Sequence, residues 1–316
     1  MSTQSNSAAL PLFSILMACA GGTLLGLSPI FVRASDLGPM TTGFYRLLFS
    51  MPLLWIWMRY EAGENATTKQ ILTRNDYLIL ALAGGFFAFD LALWNWSIDY
   101  TVIVNATLFN NTSAFFVPII MWIIFSQRQS MRTLVTALCG FMGCVLLGFE
   151  SFNISMDNLV GDIVALLSGL MVTAYVITVK RIRDRLPTGL LMFWTSLVSL
   201  FGMAIFGLLF QESFWPLTNN DWMSVLGQGL LVHVMGQGFL AYSFGKIPAS
   251  YGALIMLLAP VTAALLGWTI YGESLSLLKI IGVSIIMISI VAVRQGAPKL
   301  KPTNDEGLAF GKGLKS

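Results

Sequence analysis

Ten apolar runs of about twenty residues, separated by short polar connections, fix the solvent of this chain as lipid rather than water. They fall at roughly 11–33, 39–58, 76–98, 102–126, 132–150, 159–180, 187–210, 221–245, 248–271 and 275–294. Hydrocarbon offers backbone amides no partners, so runs of this length must close their hydrogen bonds internally, as helices. The expected fold is an all-α integral membrane protein with ten transmembrane helices. Charged residues make up 10% of the chain, whereas a water-exposed surface needs about 25%. The longest connection spans 59–74, too short for a soluble domain. Residues 295–316 turn Gly-, Pro- and Lys-rich and read as a disordered cytoplasmic tail. The opening MSTQSNSAAL has no Lys or Arg, so it lacks the charged start of a signal peptide and the first span is expected to be retained.

Basic residues orient the chain. With a cytoplasmic N-terminus, the inner segments and tail collect 15 of the 18 Lys and Arg residues, while the outer ones keep Arg33 and Lys279 and Arg46 stays within a span. The positive-inside rule therefore places both termini in the cytoplasm, in the plasma (inner) membrane if the source is bacterial.

The chain also repeats itself. Aligning Pro39 with Pro187 (187 − 39 = 148) brings Ile15 onto Ile163, Gly21 onto Gly169 and Arg33 onto Arg181. Aligning Trp122 with Trp268 (268 − 122 = 146) brings Ser97 onto Ser243, Ile124 onto Ile270 and Ser130 onto Ser276. Each copy, 11–150 and 159–294, holds five spans. Five is odd, so the second copy is inserted upside down, and inverted repeats with a site at their interface mark secondary transporters.

Polar side chains at membrane depth locate that site. The stretch 86–118 reads as two spans joined by a tight turn around Asp99–Thr101, and it carries Asp90, Asn95, Asn105, Asn110 and Asn111. Such groups face a bundle interior or a cavity. Asp90 suits a proton-coupling group or an ammonium partner; the structural alternative is a carboxylate paired with Arg46 or held by Asn and Trp donors. His233 is the only histidine and lies in span 8, the repeat partner of span 3. It suits proton relay or substrate binding, or else an interhelical hydrogen bond. Gln237 follows one turn later on the same face. Asn110 and Asn111 suit a zwitterion or amide, although adjacent helical residues diverge by about 100°, so one of them at most points straight inward. Arg46, beside Tyr45, suits a substrate carboxylate or a clamp on Asp90. Trp94, Tyr175, Trp194 and Tyr242 are cavity aromatics or belt residues; Trp55, Trp57, Trp215 and Trp222 read as belt. Glu273, near Lys279, reads as a structural pair or a cap. The gathered substrate-binding set is Tyr45, Arg46, Asp90, Trp94, Asn110, Asn111, Tyr175, His233 and Gln237, with Asp90 and His233 as the proton-coupling pair. The three cysteines and single histidine have no ligand spacing, so neither a metal nor a cofactor is expected. No GxxxxGK[ST], HExxH or GxSxG occurs, which argues against direct ATP use and against an enzyme. Expected partners are a small-molecule substrate and membrane lipid, with no nucleic acid; monomer or dimer is left open.

The segments SPIFVR at 28–33, GPMTTGFYR at 38–46 and SYGALIMLLAPVTAALLGWTIYGESLS at 250–276 resemble the EamA family of the drug/metabolite transporter superfamily. The likeness covers essentially all of 11–294. Two positions depart from it: Gln127 stands where the second repeat has Glu273, and Ala114 stands opposite Pro260. The resemblance implies ten helices in two inverted halves and a cavity lined by spans 3, 4, 8 and 9. It also implies a structural use for an arginine at position 46. Transport of amino acids or derivatives by alternating access follows as the first expectation. Carriage of a nucleoside-like, vitamin or cofactor metabolite is the alternative, and an intramembrane enzyme or lipid-binding scaffold belongs to a different class.

Overall fold

The structure is a computed structural model that describes residues 11–64, 72–97, 100–101, 103–124, 126, 129–149, 158–183, 185–215 and 218–296. Asp99, Gln127 and the tail from residue 297 onward lie outside them. The described residues form helices and no strand. Eight helical segments are long and apolar enough to cross a membrane. Helices α1 (Leu12–Leu25) and α2 (Ser28–Arg33) make the first. The next three are α4 (Arg74–Ser97), the pair α5 (Ile103–Asn110) and α6 (Ser113–Ile123), and α7 (Met131–Gly148). Then come α8 (Leu159–Arg183) and α9 (Thr188–Leu209). The seventh joins α10 (Asn219–Gly227), a π-helix (Gln228–Gln237) and α11 (Gly238–Phe244); the eighth joins α12 (Ala249–Ile255) and α13 (Leu258–Tyr271). The other two expected spans correspond to α3 (Pro39–Glu64), which is 26 residues long but more polar, and α14 (Leu277–Gly296), whose apolar stretch is Leu277–Val293.

Helix α4 lies along α8, and α1 lies along the π-helix and α11. Helices α5 and α6 also pack on α8, while α12 and α13 pack on α1. Two further pairs, α3 with α9 and α7 with α14, complete the bundle. Close crossings rest on glycine. A methyl group at Gly143 would meet the Gly282 carbonyl oxygen at 2.9 Å, and one at Gly282 would meet that of Gly143 at 2.7 Å.

The α3–α9 pair is tied at both ends by reciprocal caps. Glu212, beyond the end of α9, accepts from the Met40 and Thr41 amides at the start of α3, at 3.1 and 2.7 Å. Glu61, in the last turn of α3, accepts from the Gly189 amide at the start of α9, at 2.7 Å. Each carboxylate thus satisfies amides that have no partner within their own helix and meets the positive end of a helix dipole.

Three of the spans are broken. Pro29 removes the amide that would bond Leu25, where α1 ends, and Pro260 removes the one that would bond Met256, between α12 and α13. Span 4 has Ala114 at the position matching Pro260 (114 + 146 = 260) and still breaks between Asn110 and Ser113. There the Asn111 side chain donates to the Thr107 carbonyl at 2.8 Å, and the Thr112 hydroxyl donates to the Phe109 carbonyl at 2.6 Å. Side-chain bonds to the backbone do in the first half what proline does in the second.

A large apolar core, including Ile182, Leu186, Phe244, Ile247 and Tyr251, fills the end of the bundle where α8 meets α9 and α11 meets α12. Arg183 seals that end by donating from Nε to the Ala241 carbonyl at 3.0 Å and to the Leu186 carbonyl.

Candidate functional site

The three helix breaks meet at one cavity of about 140 Å³, with Gly26, Asn110, Asn111 and Met256 on its wall. Helices α3 and α4 add Arg46, Phe87, Asp90 and Trp94, and the π-helix adds Gln237. The expected lining by spans 3, 4, 8 and 9 is therefore present, joined by residues of spans 1, 2 and 6.

Glycines bring the breaks this close. A methyl group on Gly22 would lie 2.7 Å from the Ile255 carbonyl oxygen, and one on Gly169 would lie 2.5 Å from that of Phe109. Each lets its helix touch the backbone at the break of another span.

Asp90 is only 7% exposed. Its Oδ1 accepts from Asn110 Nδ2 at 2.8 Å and from the Ser168 hydroxyl at 2.7 Å. Asn110 Nδ2 also approaches the Ser168 oxygen at 2.6 Å. No hydrogen bond among the described residues reaches Oδ2. Two donors from α5 and α8 therefore hold one oxygen of the carboxyl group and leave the other for the cavity. Asn110 follows from the sequence; Ser168 does not, because a serine in an apolar helix carries no mark of its partner.

Arg46 is 8% exposed and lines the same cavity. Its Nε has no hydrogen-bond partner, and its guanidinium makes no ion pair among the described residues. The guanidinium carbon lies 5.9 Å from the Phe87 ring centroid. Asp90 and Arg46 thus share a cavity without clamping each other. An unpaired guanidinium in so buried a place calls for an anionic partner.

Both asparagines line the cavity where α5 ends, ahead of the break before α6. Asn111 spends its amide on Thr107, so Asn110 is the one engaged with Asp90.

Three of the expected site residues stand behind the wall. His233 is 1% exposed, bonds Ser196 Oγ through Nε2 at 2.7 Å and stacks on Phe87; its Nδ1 has no hydrogen-bond partner among the described residues. Tyr175 packs on Phe87 with ring centroids 5.0 Å apart and reaches the Gln237 side chain. Tyr45 donates to the Phe214 carbonyl at 2.6 Å and packs against Phe49 and Trp222. Trp194 packs on Tyr77 and Lys246 stands over the Tyr242 ring; of the residues expected in the belt, Trp55 and Trp215 are exposed, whereas Trp57 is partly buried and donates to Glu61, and Trp222 is partly buried against Tyr45 and Phe49. Glu273 pairs with Arg33 at 2.7 Å rather than with Lys279, which donates to the Ser274 carbonyl.

A matched pair of capping boxes was not among the expected features. Thr73 and Asp76 cap α4, and Thr218 and Asp221 cap α10, each amide accepted by the other residue's side chain. The boxes are offset alike at both positions (218 − 73 = 145 and 221 − 76 = 145), so a search for T-x-x-D near the repeat offset would find them. Asp76 also pairs with Arg185 at 3.2 Å, while Asp221 accepts from the Ser35 hydroxyl at 2.7 Å.

The profile of the EamA-like transporter family matches residues 12–149 and 159–295. The chain is similar to the uncharacterized transporter YetK of Bacillus subtilis (strain 168), 24% identical over 84% of this chain and 82% of that one. It is also similar to the uncharacterized transporter YwfM of the same organism, 26% identical over 89% and 91%. A solved crystal structure shares the fold at 14% identity, with a TM-score of 0.77 over 90% of this chain and 98% of that one.

Proposed function

This chain belongs to the EamA-like transporter family, and from that premise we propose that it is a secondary transporter of small zwitterionic metabolites, amino acids or their derivatives first. It is an integral membrane protein and a transporter by family. The observation that carries the substrate reading is the pair of opposite charges on one cavity wall, Arg46 and Asp90, neither spent on the other. A guanidinium takes a carboxylate in a forked geometry, and the open Asp90 oxygen takes an ammonium.

Alternating access between two inverted five-helix halves, 11–150 and 159–294, is the mechanism we assign. Its support lies in the pairings: exchanging the halves turns α4 on α8 into the π-helix on α1, and α5–α6 on α8 into α12–α13 on α1. The reciprocal glutamate caps and the matched T-x-x-D boxes follow the same exchange. Discontinuous helices meeting at midplane are the usual site of such carriers. On this reading there are ten spans, both termini are cytoplasmic in a plasma membrane, and the sealed α8–α9 end faces the cytoplasm. The conformation is then open to the outside. Coupling to protons through Asp90, tuned by His233, is part of the proposal, as are the absence of a catalytic role and of nucleic-acid partners.

Counterflow of labelled amino acids in proteoliposomes tests this. Exchange that requires both the carboxylate and the ammonium of the solute is expected. Equal exchange of an amino acid and of its decarboxylated amine would sink the zwitterion site.

A further inference from the structure

The cavity is chemically lopsided although the helices around it are related by the repeat. Asn110 ends α5, and its counterpart at the matching break (110 + 146 = 256) is Met256. Asp90 corresponds to Gly236 by the same offset, and Arg46 corresponds by the other (46 + 148 = 194) to Trp194, which packs on Tyr77 away from the cavity. The charged groups and both asparagines thus come from the first half, and the second half adds one amide, Gln237, whose side chain reaches Tyr175. The remaining wall, from α1, α12 and α13, presents Leu25, Gly26, Met256, Ala259, Pro260 and Ala263. Its one hydroxyl, Ser28, donates to Gln228 Oε1 at 3.1 Å, and Gln228 Nε2 donates back to the Ser28 carbonyl at 3.1 Å, so that serine has no proton to offer a ligand.

We infer that the substrate is a neutral amino acid with an apolar side chain, its charged head on Arg46 and Asp90 and its side chain against Met256, Pro260 and Ala263, with Met256 as the residue that sets side-chain preference. This rests on the zwitterion reading above and adds what that reading leaves open. A polar side chain turned toward this wall loses its hydration and gains no partner. A pocket of this kind separates an aliphatic side chain from its polar isostere by about 10- to 100-fold.

The experiment is counterflow in proteoliposomes of the full chain, with labelled L-leucine competed by unlabelled L-methionine, L-asparagine and L-glutamate. Wild type is expected to prefer methionine over asparagine by about 10-fold or more and to discriminate against glutamate. Met256→Asn should move the methionine-to-asparagine ratio toward or past unity, and Ala263→Ser, a smaller change on the same wall, should move it in the same direction. A thermal melt of each purified variant checks that it is folded. Amino acid exchange indifferent to the side chain, or a ratio unmoved in folded Met256→Asn and Ala263→Ser, overturns this inference and leaves the zwitterion site standing. If no amino acid exchanges while other solutes do, the zwitterion site itself fails, and this inference fails with it.

Discussion

His233 lies against Phe87, their ring centroids 5.5 Å apart and their planes 28° from parallel. The repeat relates the two positions (233 − 87 = 146) by the offset that aligns Trp122 with Trp268, so the stack joins equivalent places in the two halves. Tyr175 packs on the same phenylalanine. Behind His233, Ser196 holds Nε2. Any tilt of one half against the other has to shear this contact, which lies directly behind the wall that carries Arg46 and Asp90. The π-helical turn that carries His233 is the kind of local irregularity found at working sites in helices.

Replacing Arg46 with Gln should lower amino acid counterflow by about 100-fold or more, about 3 kcal/mol of lost binding to the carboxylate. Its melting temperature should stay level or rise, because the variant removes a buried charge that makes no ion pair among the described residues. Arg46→Lys should restore little, since an ammonium cannot reproduce the fork. A melting temperature several degrees lower would make Arg46 structural instead.

Asp90→Asn separates binding from coupling. If the open oxygen holds the substrate ammonium, exchange and pH-driven uptake fall together. If Asp90 only couples, exchange survives, because the amide keeps the size and much of the hydrogen bonding while losing the titration. Both modes measured in one proteoliposome preparation distinguish the two, and normal driven uptake would remove Asp90 from the mechanism.

Glu61→Ala and Glu212→Ala should each destabilise the α3–α9 pair by about 0.5–2 kcal/mol through loss of a helix cap. They act at opposite ends of the pair, so their effects should add in the double variant. Melts of the three variants in one detergent check this, and a strongly non-additive double variant would argue against independent caps.

Gly169→Ala would place a methyl group 2.5 Å from the Phe109 carbonyl oxygen, which is backbone and cannot move aside. Loss of folded protein is expected on a size-exclusion profile. At Gly85 nothing lies within 4 Å, so Gly85→Ala should be neutral or stabilise by up to about 1 kcal/mol from helix propensity. Equal behaviour of the two variants would count against the packing of α8 on the span 4 break.

A single cysteine at Ser213, in the chain between α9 and α10, should react with an impermeant thiol reagent in intact cells. One at Arg185 should react only after the cells are broken open. The reverse pattern would invert the orientation set by the basic residues.

Hydrophobic length and charge bias belong to the local sequence, and so the helical, membrane-embedded class was readable from residue order alone. Although 11–33 and 248–271 read as unbroken spans and their breaks at Pro29 and Pro260 came with the structure, the repeat offsets and the unusual polar residues at depth were readable for the same reason. So was the candidacy of Asp90, Asn110, Arg46 and Gln237, because a polar group in hydrocarbon must find a partner or a cavity somewhere. Which of these it finds depends on helices distant in sequence. Only packing brings Ser168 to Asp90 across 78 positions, leaves Arg46 unpaired beside Asp90 and withdraws His233 and Tyr175 behind Phe87. Only packing shows that side-chain bonds at Asn111 and Thr112 replace the proline missing at Ala114. Solvent preference is written residue by residue, but the pairing of polar groups is a property of interhelical distance, and distance is set by how closely glycines let the helices approach.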